Sequence, residues 1–178
     1  MVKDIQCEQL DVMDYFKVRI NQDGKIIYVD DAFLQFSGYD ISELILEPFY
    51  KLMWEGKNVF YNVFAKNILH DQSTYFIALL KKKDGKCFWT VIKSTPYTHT
   101  DGSQRFLLEI KMLPTATVNE IKKVADAVLK IEEEVGVEYA EKYFEGLLEE
   151  KGMNFNEFIF DLLETTPKKL DKYFTIKK

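Results

Sequence analysis

The stretch Ile26–Leu44, IIYVDDAFLQFSGYDISEL, decides the fold, because it changes from a strand pattern to a helix pattern within a few residues. Its first four residues are apolar or aromatic and follow the turn signal Asp23-Gly24, so they predict the second strand of a hairpin. Asp30 or Asp31 can cap a short helix, and Gly38 is suited to end it. The stretch therefore predicts a strand that leads directly into short helical turns.

Further strands are predicted on both sides of this stretch. Apolar and polar residues alternate, or form short apolar runs between turn signals, in the segments 16–20, 26–29, 74–82, 86–96 and 104–112. Residues 57–69 instead have apolar side chains at helical spacing and predict a longer helix. Consecutive strands joined by tight turns pair antiparallel, so the sheet is predicted to be antiparallel.

The chain divides into three predicted parts. Residues 1–14 form an N-terminal helical segment, residues 15–113 form the sheet domain, and residues 114–178 form a helical C-terminal extension. Pro114 marks the second boundary, because beyond it the apolar residues follow helical spacing alone.

Two strings resemble the PAS family. One is the stretch quoted above, and the other is KKKDGKCFWTVIKSTPY at residues 81–97, which is similar to the hairpin of the family's last strands. The local sequence is nearest to PAS domains of the aerotaxis-receptor type and the LOV type. The resemblance covers residues 15–113 and implies an α+β fold. This fold is a PAS-like five-stranded antiparallel sheet with helices on one face, here followed by an all-helical C-terminal extension.

The resemblance also places two sets of side chains on opposite faces of the sheet. The inward set would line a largely apolar ligand pocket, and it comprises Phe36, Leu52, Trp54, Phe60, Val63, Phe64, Phe76, Ala78, Leu80, Phe88, Thr90 and Ile92. The outward set would form an apolar interface or signalling surface, and it comprises Tyr75, Ile77, Leu79, Trp89, Val91 and Leu107. An exposed apolar patch of that size needs a cover, from an end of the chain or from a second copy.

The cofactor motifs of the better-known PAS groups are missing. The LOV photo-adduct needs a cysteine before the long helix, and the matching string LILEPFYKLMWEGKN has none. Flavin-binding relatives use amide side chains where this chain has Leu80 and Thr90, and Asp30 replaces the asparagine after the second strand. Neither His70 nor His99 is placed like an axial haem ligand. The cofactor stays unidentified, flavin remains an alternative, and no metal site is predicted.

Composition excludes several other classes of function. The 178 residues carry a net charge of −5, which does not favour nucleic acid or an anionic membrane surface. No apolar run is long enough to span a membrane, and the two cysteines have no redox or metal spacing. No catalytic motif is present, so the chain is predicted to be a cytoplasmic protein and not an enzyme.

These observations leave three hypotheses. The first is a sensory PAS module that detects a small apolar or aromatic ligand, or a redox state. It would pass the signal through the outer sheet face and the C-terminal helices to a signalling protein or to a second copy. The second is a ligand-free PAS scaffold for dimerisation or partner docking. The third is a flavin-binding redox or energy-taxis sensor.

Overall fold

The computed structural model describes residues 15–53, 74–113, 115–154, 157–158 and 161. In chain order its elements are β1 (Tyr15–Asn21), β2 (Ile26–Val29), α1 (Asp31–Ser37), α2 (Ile41–Leu44), a 3-10 helix (Phe49–Leu52), β3 (Thr74–Lys81), β4 (Cys87–Thr98), β5 (Gln104–Met112), α3 (Thr115–Glu134) and α4 (Val137–Lys151). The predicted helix at 57–69, the N-terminal segment 1–14 and most of the chain after residue 154 lie outside the described residues.

The five strands form one sheet in the order β2-β1-β5-β4-β3, and every neighbouring pair is antiparallel. This arrangement confirms the predicted fold class, including the helical region after the sheet. The domain boundary at Pro114 stays a prediction. Among the described residues, no helix is both long and apolar enough to cross a membrane.

Asp30 joins the helical region to the sheet. One of its carboxylate oxygens accepts a hydrogen bond from the backbone N–H of Phe33 at 2.9 Å, which caps α1. The other accepts from the backbone N–H of Lys17 in β1 at 2.8 Å. Of the two predicted caps, Asp30 is therefore the one used, and it fixes where α1 leaves the sheet. Gly38 ends the helix with φ at 78°, a left-handed conformation that favours glycine.

Strand β4 is longer than the sequence predicts. The expected end at Pro96 is passed, and pairing with β5 continues to Thr98. In the described residues, β3 pairs with β4 only as far as Ser94, so beyond that residue β4 has one neighbouring strand. Proline lacks a backbone donor and is tolerated where a strand has one free side.

The sheet has an inner face, toward α1, and an opposite outer face. The inner face of the described strands carries a buried apolar set made of Phe16, Val18, Ile20, Ala78, Leu80, Phe88, Ile92, Phe106, Leu108, Ile110 and Met112. Helix α1 packs there through Phe33, whose ring centroid lies 5.5 Å from that of Phe16 in an edge-to-face arrangement.

Residues Cys87 to Ile92 of β4 are all buried, so this strand is covered on both faces. The same cluster of buried residues includes Val128 of α3 and both Ala140 and Phe144 of α4. The sheet and the C-terminal helices therefore share one hydrophobic core.

We expect Asp30→Ala to lower the free energy of unfolding by about 1–2 kcal/mol, because it removes a helix cap together with a bond to β1. The matched control is Asp31→Ala, which deletes an exposed carboxylate from the first turn of the same helix. We expect that change to cost only a few tenths of a kcal/mol, roughly the helix-dipole contribution. Urea denaturation of both variants measures the difference, and equal losses would refute the structural role given to Asp30.

Candidate functional site

The register of the strands places the sheet residues of the predicted pocket on one face. Ala78 lies opposite Thr90, Leu80 lies opposite Phe88, and Ile92 lies between Phe76 and Ile110. Ala78, Leu80, Phe88, Thr90 and Ile92 are all buried. Of Phe76 only the backbone is described, and it holds the expected position in β3.

Two of the predicted helical residues meet this surface. The ring of Phe36 is half-buried, with its centroid 4.9 Å from that of Phe88 in an edge-to-face contact and 4.9 Å from that of Phe16 in a stacked one. Leu52 is buried, and the residue after it, Met53, forms a bridge with Leu80 of β3. The other predicted pocket residues, Trp54, Phe60, Val63 and Phe64, lie outside the described residues.

The hydroxyl of Thr90 is already used within the sheet. It donates a hydrogen bond of 3.0 Å to the backbone carbonyl of Ala78, in the interior of the protein. A buried hydroxyl with a protein partner has its only proton engaged. Thr90 therefore has an acceptor lone pair, but no donor, left for a ligand.

Ser94 is the polar residue that the predicted pocket set omits. It is the next inward position of β4 after Ile92, lies between Thr74 and Leu108, and is 1% exposed. Among the described residues its hydroxyl has no hydrogen-bond partner. The signal was available in the sequence, because Phe88, Thr90, Ile92 and Ser94 continue one period-two alternation.

The β3–β4 hairpin turn lies at the end of the inner face that is farther from Ser94. The backbone N–H of Lys83 donates to the carbonyl of Ser37 at 2.9 Å, and its ammonium group lies 2.8 Å from a carboxylate oxygen of Glu43. The hydrogen bond between the Lys83 ammonium group and the Glu43 carboxylate lowers the pKa of Glu43 and raises that of Lys83. The neighbouring Lys82 ammonium lies 4.6 Å from the centroid of the Phe36 ring. The β3–β4 turn is thus attached to α1 and α2. The Ser37 hydroxyl, buried at this end, also has no partner in the described part of the chain.

The predicted outer set is mostly buried within the chain itself. Tyr75, Leu79, Trp89 and Val91 are buried, while Leu107 is half-buried. Of Ile77 only the backbone is described, opposite Val91. Four of the six predicted residues are therefore covered, and the role of the set in signalling stays a prediction.

The rest of the outer face is polar. The hydroxyl of Tyr15 donates a short hydrogen bond to the carboxylate of Glu109. Burial, followed by this bond, raises the pKa of Tyr15 well above its ordinary value. Burial lowers the pKa of the neighbouring Lys111. This side of the sheet therefore has charged and aromatic groups in close contact.

No described residue is placed to bind haem iron or another metal ion. His99 lies in the β4–β5 turn, where its Nδ1 atom is 3.3 Å from the carboxylate of Asp101 and its side chain is 39% exposed. The described residues contain no cluster of histidine, cysteine and acidic side chains that could hold a metal. His70 lies outside them.

The Thr90 hydroxyl offers a test of stability. We expect Thr90→Val to cost about 1 kcal/mol of unfolding free energy, because the Ala78 carbonyl loses its bond from this hydroxyl. The control is Thr95→Val, at a half-buried position on the outer face of the same strand. Thermal denaturation compares the two, and an unchanged Thr90→Val protein would show that the bond does not stabilise the fold.

Comparisons with known proteins agree with this geometry. A family model described as PAS domain matches residues 13–110. No curated protein is similar enough to be counted as a relative.

Several solved structures share the fold. A PAS domain of an HTR-like protein from Haloarcula marismortui has 19% identity and a TM-score of 0.50, covering 57% of this chain and 83% of its own. The LOV domain of the blue-light photoreceptor Aureochrome1 has 17% identity and a TM-score of 0.52, covering 60% of this chain and 91% of its own. A fungal LOV domain photoreceptor has 19% identity and a TM-score of 0.51, covering 62% of this chain and 81% of its own. At these identities the likeness concerns the fold alone.

Proposed function

Because the chain belongs to the PAS-domain family, whose members are typically sensory signal-transduction modules, we propose that it binds a small ligand against the inner face of its sheet. The ligand state would then be relayed to a signalling partner. The observation that carries this proposal is the Ser94 hydroxyl, which is buried on the mainly apolar inner face and has no hydrogen-bond partner among the described residues.

A buried hydroxyl without a partner is costly. Its transfer from water without a compensating hydrogen bond costs roughly 1–3 kcal/mol on protein mutational scales. A ligand atom that bonds to Ser94 would recover that cost. The hydroxyl can both donate and accept, so a carbonyl, hydroxyl or amide group of a ligand would suit it.

The surroundings of Ser94 indicate the rest of the ligand. Among its inner-face neighbours whose side chains are described, Ile92, Leu108 and Ile110 on β4 and β5 are apolar. None of the described inner-face residues carries a charge, and a buried ion without a counter-charge is strongly disfavoured. We therefore expect a neutral, mainly aliphatic or aromatic molecule with one hydrogen-bonding group.

Strand β4 provides a route for the signal. Its residues Cys87 to Ile92 are buried on both faces, so a ligand that displaces an inward side chain also moves the backbone that carries Trp89 and Val91. Close-packed interiors transmit such displacements. The C-terminal helices share this core and would carry the change to a partner. The module would act without catalysis and in the cytoplasm.

Two alternatives differ in what the inner face holds. A ligand-free scaffold would leave Ser94 unpartnered. A flavin sensor would need polar groups from β3 and β4 at the ring edge, yet Leu80 is apolar and the Thr90 proton is donated to Ala78. The absence of flavin absorbance near 450 nm after flavin is added back to the purified protein would reject the flavin sensor.

The ligand site can be tested by adding a library of small neutral aromatic and aliphatic compounds to the protein. The amide chemical shifts of the protein are then measured by two-dimensional NMR. We expect bound compounds to shift the amides of Ala78, Thr90, Ile92 and Ser94. Ser94→Ala should weaken the binding of these compounds roughly 5–10-fold, which is the effect of losing one neutral hydrogen bond. Thr95→Val is the matched control, because Thr95 is next to Ser94 in β4 but lies on the outer face of the sheet. If compounds bind both variants equally, Ser94 is not the ligand's partner.

A second prediction concerns the ligand-free protein. We expect Ser94→Ala to raise its free energy of unfolding by roughly 1 kcal/mol, because the substitution removes a buried hydroxyl that has no partner. Calorimetry of protein from which bound small molecules have been stripped measures this change. A clear loss of stability would mean that the Ser94 hydroxyl forms a bond within the protein, and the proposal would lose its main support.

A further inference from the structure

Leu46, between α2 and the 3-10 helix, has a left-handed backbone conformation with φ at 66°. In this region the Cβ atom of an L-residue crowds the backbone, whereas glycine, which has no side chain, adopts it without strain. Every other positive φ among the described residues belongs to a glycine. Leucine is therefore a costly residue at this position.

Hydrogen bonds to β2 impose this conformation on Leu46. Its backbone N–H donates to the carbonyl of Ile26 at 2.8 Å, and the N–H of Ile26 donates to the carbonyl of Glu47 at 2.8 Å. Further along, the N–H of Phe49 donates to the carbonyl of Gly24 at 2.9 Å. The segment after α2 is thus bonded to the edge of β2 that faces away from β1. Strain that is fixed by its surroundings in this way is concentrated at functional positions.

The side chain of Leu46 does not offset this strain within the described part of the chain. It is 64% exposed and is not among the residues packed against the hydrophobic core. Ile41, at the start of α2, and Tyr50, in the 3-10 helix, are 51% and 50% exposed. We call Ile41, Leu46 and Tyr50 the Leu46 surface. Exposed apolar side chains that are grouped, unlike scattered ones, mark interaction sites.

The charges around the Leu46 surface are balanced. Glu47 pairs with Lys51 at 2.7 Å, and Glu43 pairs with Lys83 at 2.8 Å. Residues 40–53 and the two turns that contact them, residues 22–25 and 82–86, carry equal numbers of acidic and basic side chains. The acids are Asp23, Asp40, Glu43, Glu47 and Asp84, and the bases are Lys25, Lys51, Lys82, Lys83 and Lys86.

We propose that the Leu46 surface is a docking site for an uncharged, apolar segment of another protein, with the side chain of Leu46 buried in the contact. An apolar centre with a polar rim is the composition of a protein interface, and balanced charge favours a neutral occupant. Burial of the leucine in that contact offsets the strain that it imposes on the isolated chain. The proposal does not rest on ligand binding at Ser94.

Leu46→Gly distinguishes a docking residue from a structural one, because it should raise stability while it removes binding. We expect its melting temperature to rise by about 2–4 °C, because the strain is relieved. Leu46→Ala is the matched control. Alanine keeps the Cβ atom that crowds the backbone, so its melting temperature should stay close to that of the unaltered chain. A Leu46→Gly protein that melts below the unaltered chain would show that the leucine stabilises the fold, and would overturn the proposal.

Docking is measured with short random peptides displayed on phage. Peptides that bind the Leu46→Gly protein are removed first, and the remainder are selected on the full, unaltered chain. We expect the selected peptides to carry aliphatic or aromatic side chains without excess charge. Leu46→Met keeps a long apolar side chain and should bind them almost as well as leucine does. Tyr50→Ala removes a neighbour of Leu46 and should raise their dissociation constants at least about fivefold.

Two controls separate this contact from a general effect of exposed apolar groups or of charge. Tyr139→Ala removes a side chain of α4 that is 59% exposed, and it should leave peptide binding unchanged. The dissociation constants should also change little between low and high salt, because salt screens charges and the contact is apolar. Circular dichroism confirms that each variant is folded.

The proposal is overturned if no peptide remains after the subtraction, or if Tyr50→Ala and Tyr139→Ala weaken the selected peptides equally. Self-association in sedimentation velocity that Leu46→Gly abolishes would assign the surface to a second copy and reject a different protein. Binding to phosphatidylcholine vesicles that Leu46→Gly abolishes would assign it to a membrane, with the same consequence.

Discussion

The burial of β4 on both faces is the constraint on which the rest of the structure depends. An antiparallel sheet commonly leaves one face to water, but here the run Cys87 to Ile92 has no exposed residue. Inward side chains such as Phe88 meet α1 through Phe36, and outward ones such as Trp89 lie in a core that also contains helical residues. The helices after the sheet are therefore part of the same hydrophobic core.

Local patterns predicted the strands and their antiparallel pairing, and the resemblance to PAS domains supplied the fold class. Turn signals between the predicted strands indicated the hairpins, and period-two alternation in β5 identified its buried side. The choice between Asp30 and Asp31 needed three-dimensional information, because the deciding bond comes from Lys17, thirteen residues earlier in the chain. The end of β4 was misjudged for a similar reason. Whether Pro96 can stay in a strand depends on how far β3 extends beside it.

The candidate site was predictable in part. The resemblance to PAS domains placed Ala78, Leu80 and Ile92 on one face, and the register agrees. Ser94 continues the alternation of β4, yet only the structure reveals that its hydroxyl lacks a partner among the described residues while that of Thr90 has one. Hydrogen bonding between strands depends on orientation, which residue type does not specify. The left-handed backbone of Leu46 likewise depends on hydrogen bonding to Ile26 in β2 and could not be inferred from spacing.

The central claim is that the inner face holds a small neutral molecule bonded to Ser94. Native mass spectrometry of the full chain, purified gently and compared with the same sample after denaturation, tests it most directly. The account predicts a species heavier than the 21.0 kDa chain by one small organic molecule, which denaturation releases. It also predicts that Ser94→Ala carries less of that molecule than Thr95→Val, on the outer face, does. A single mass equal to that of the chain alone, in native and denatured samples alike, would contradict the account.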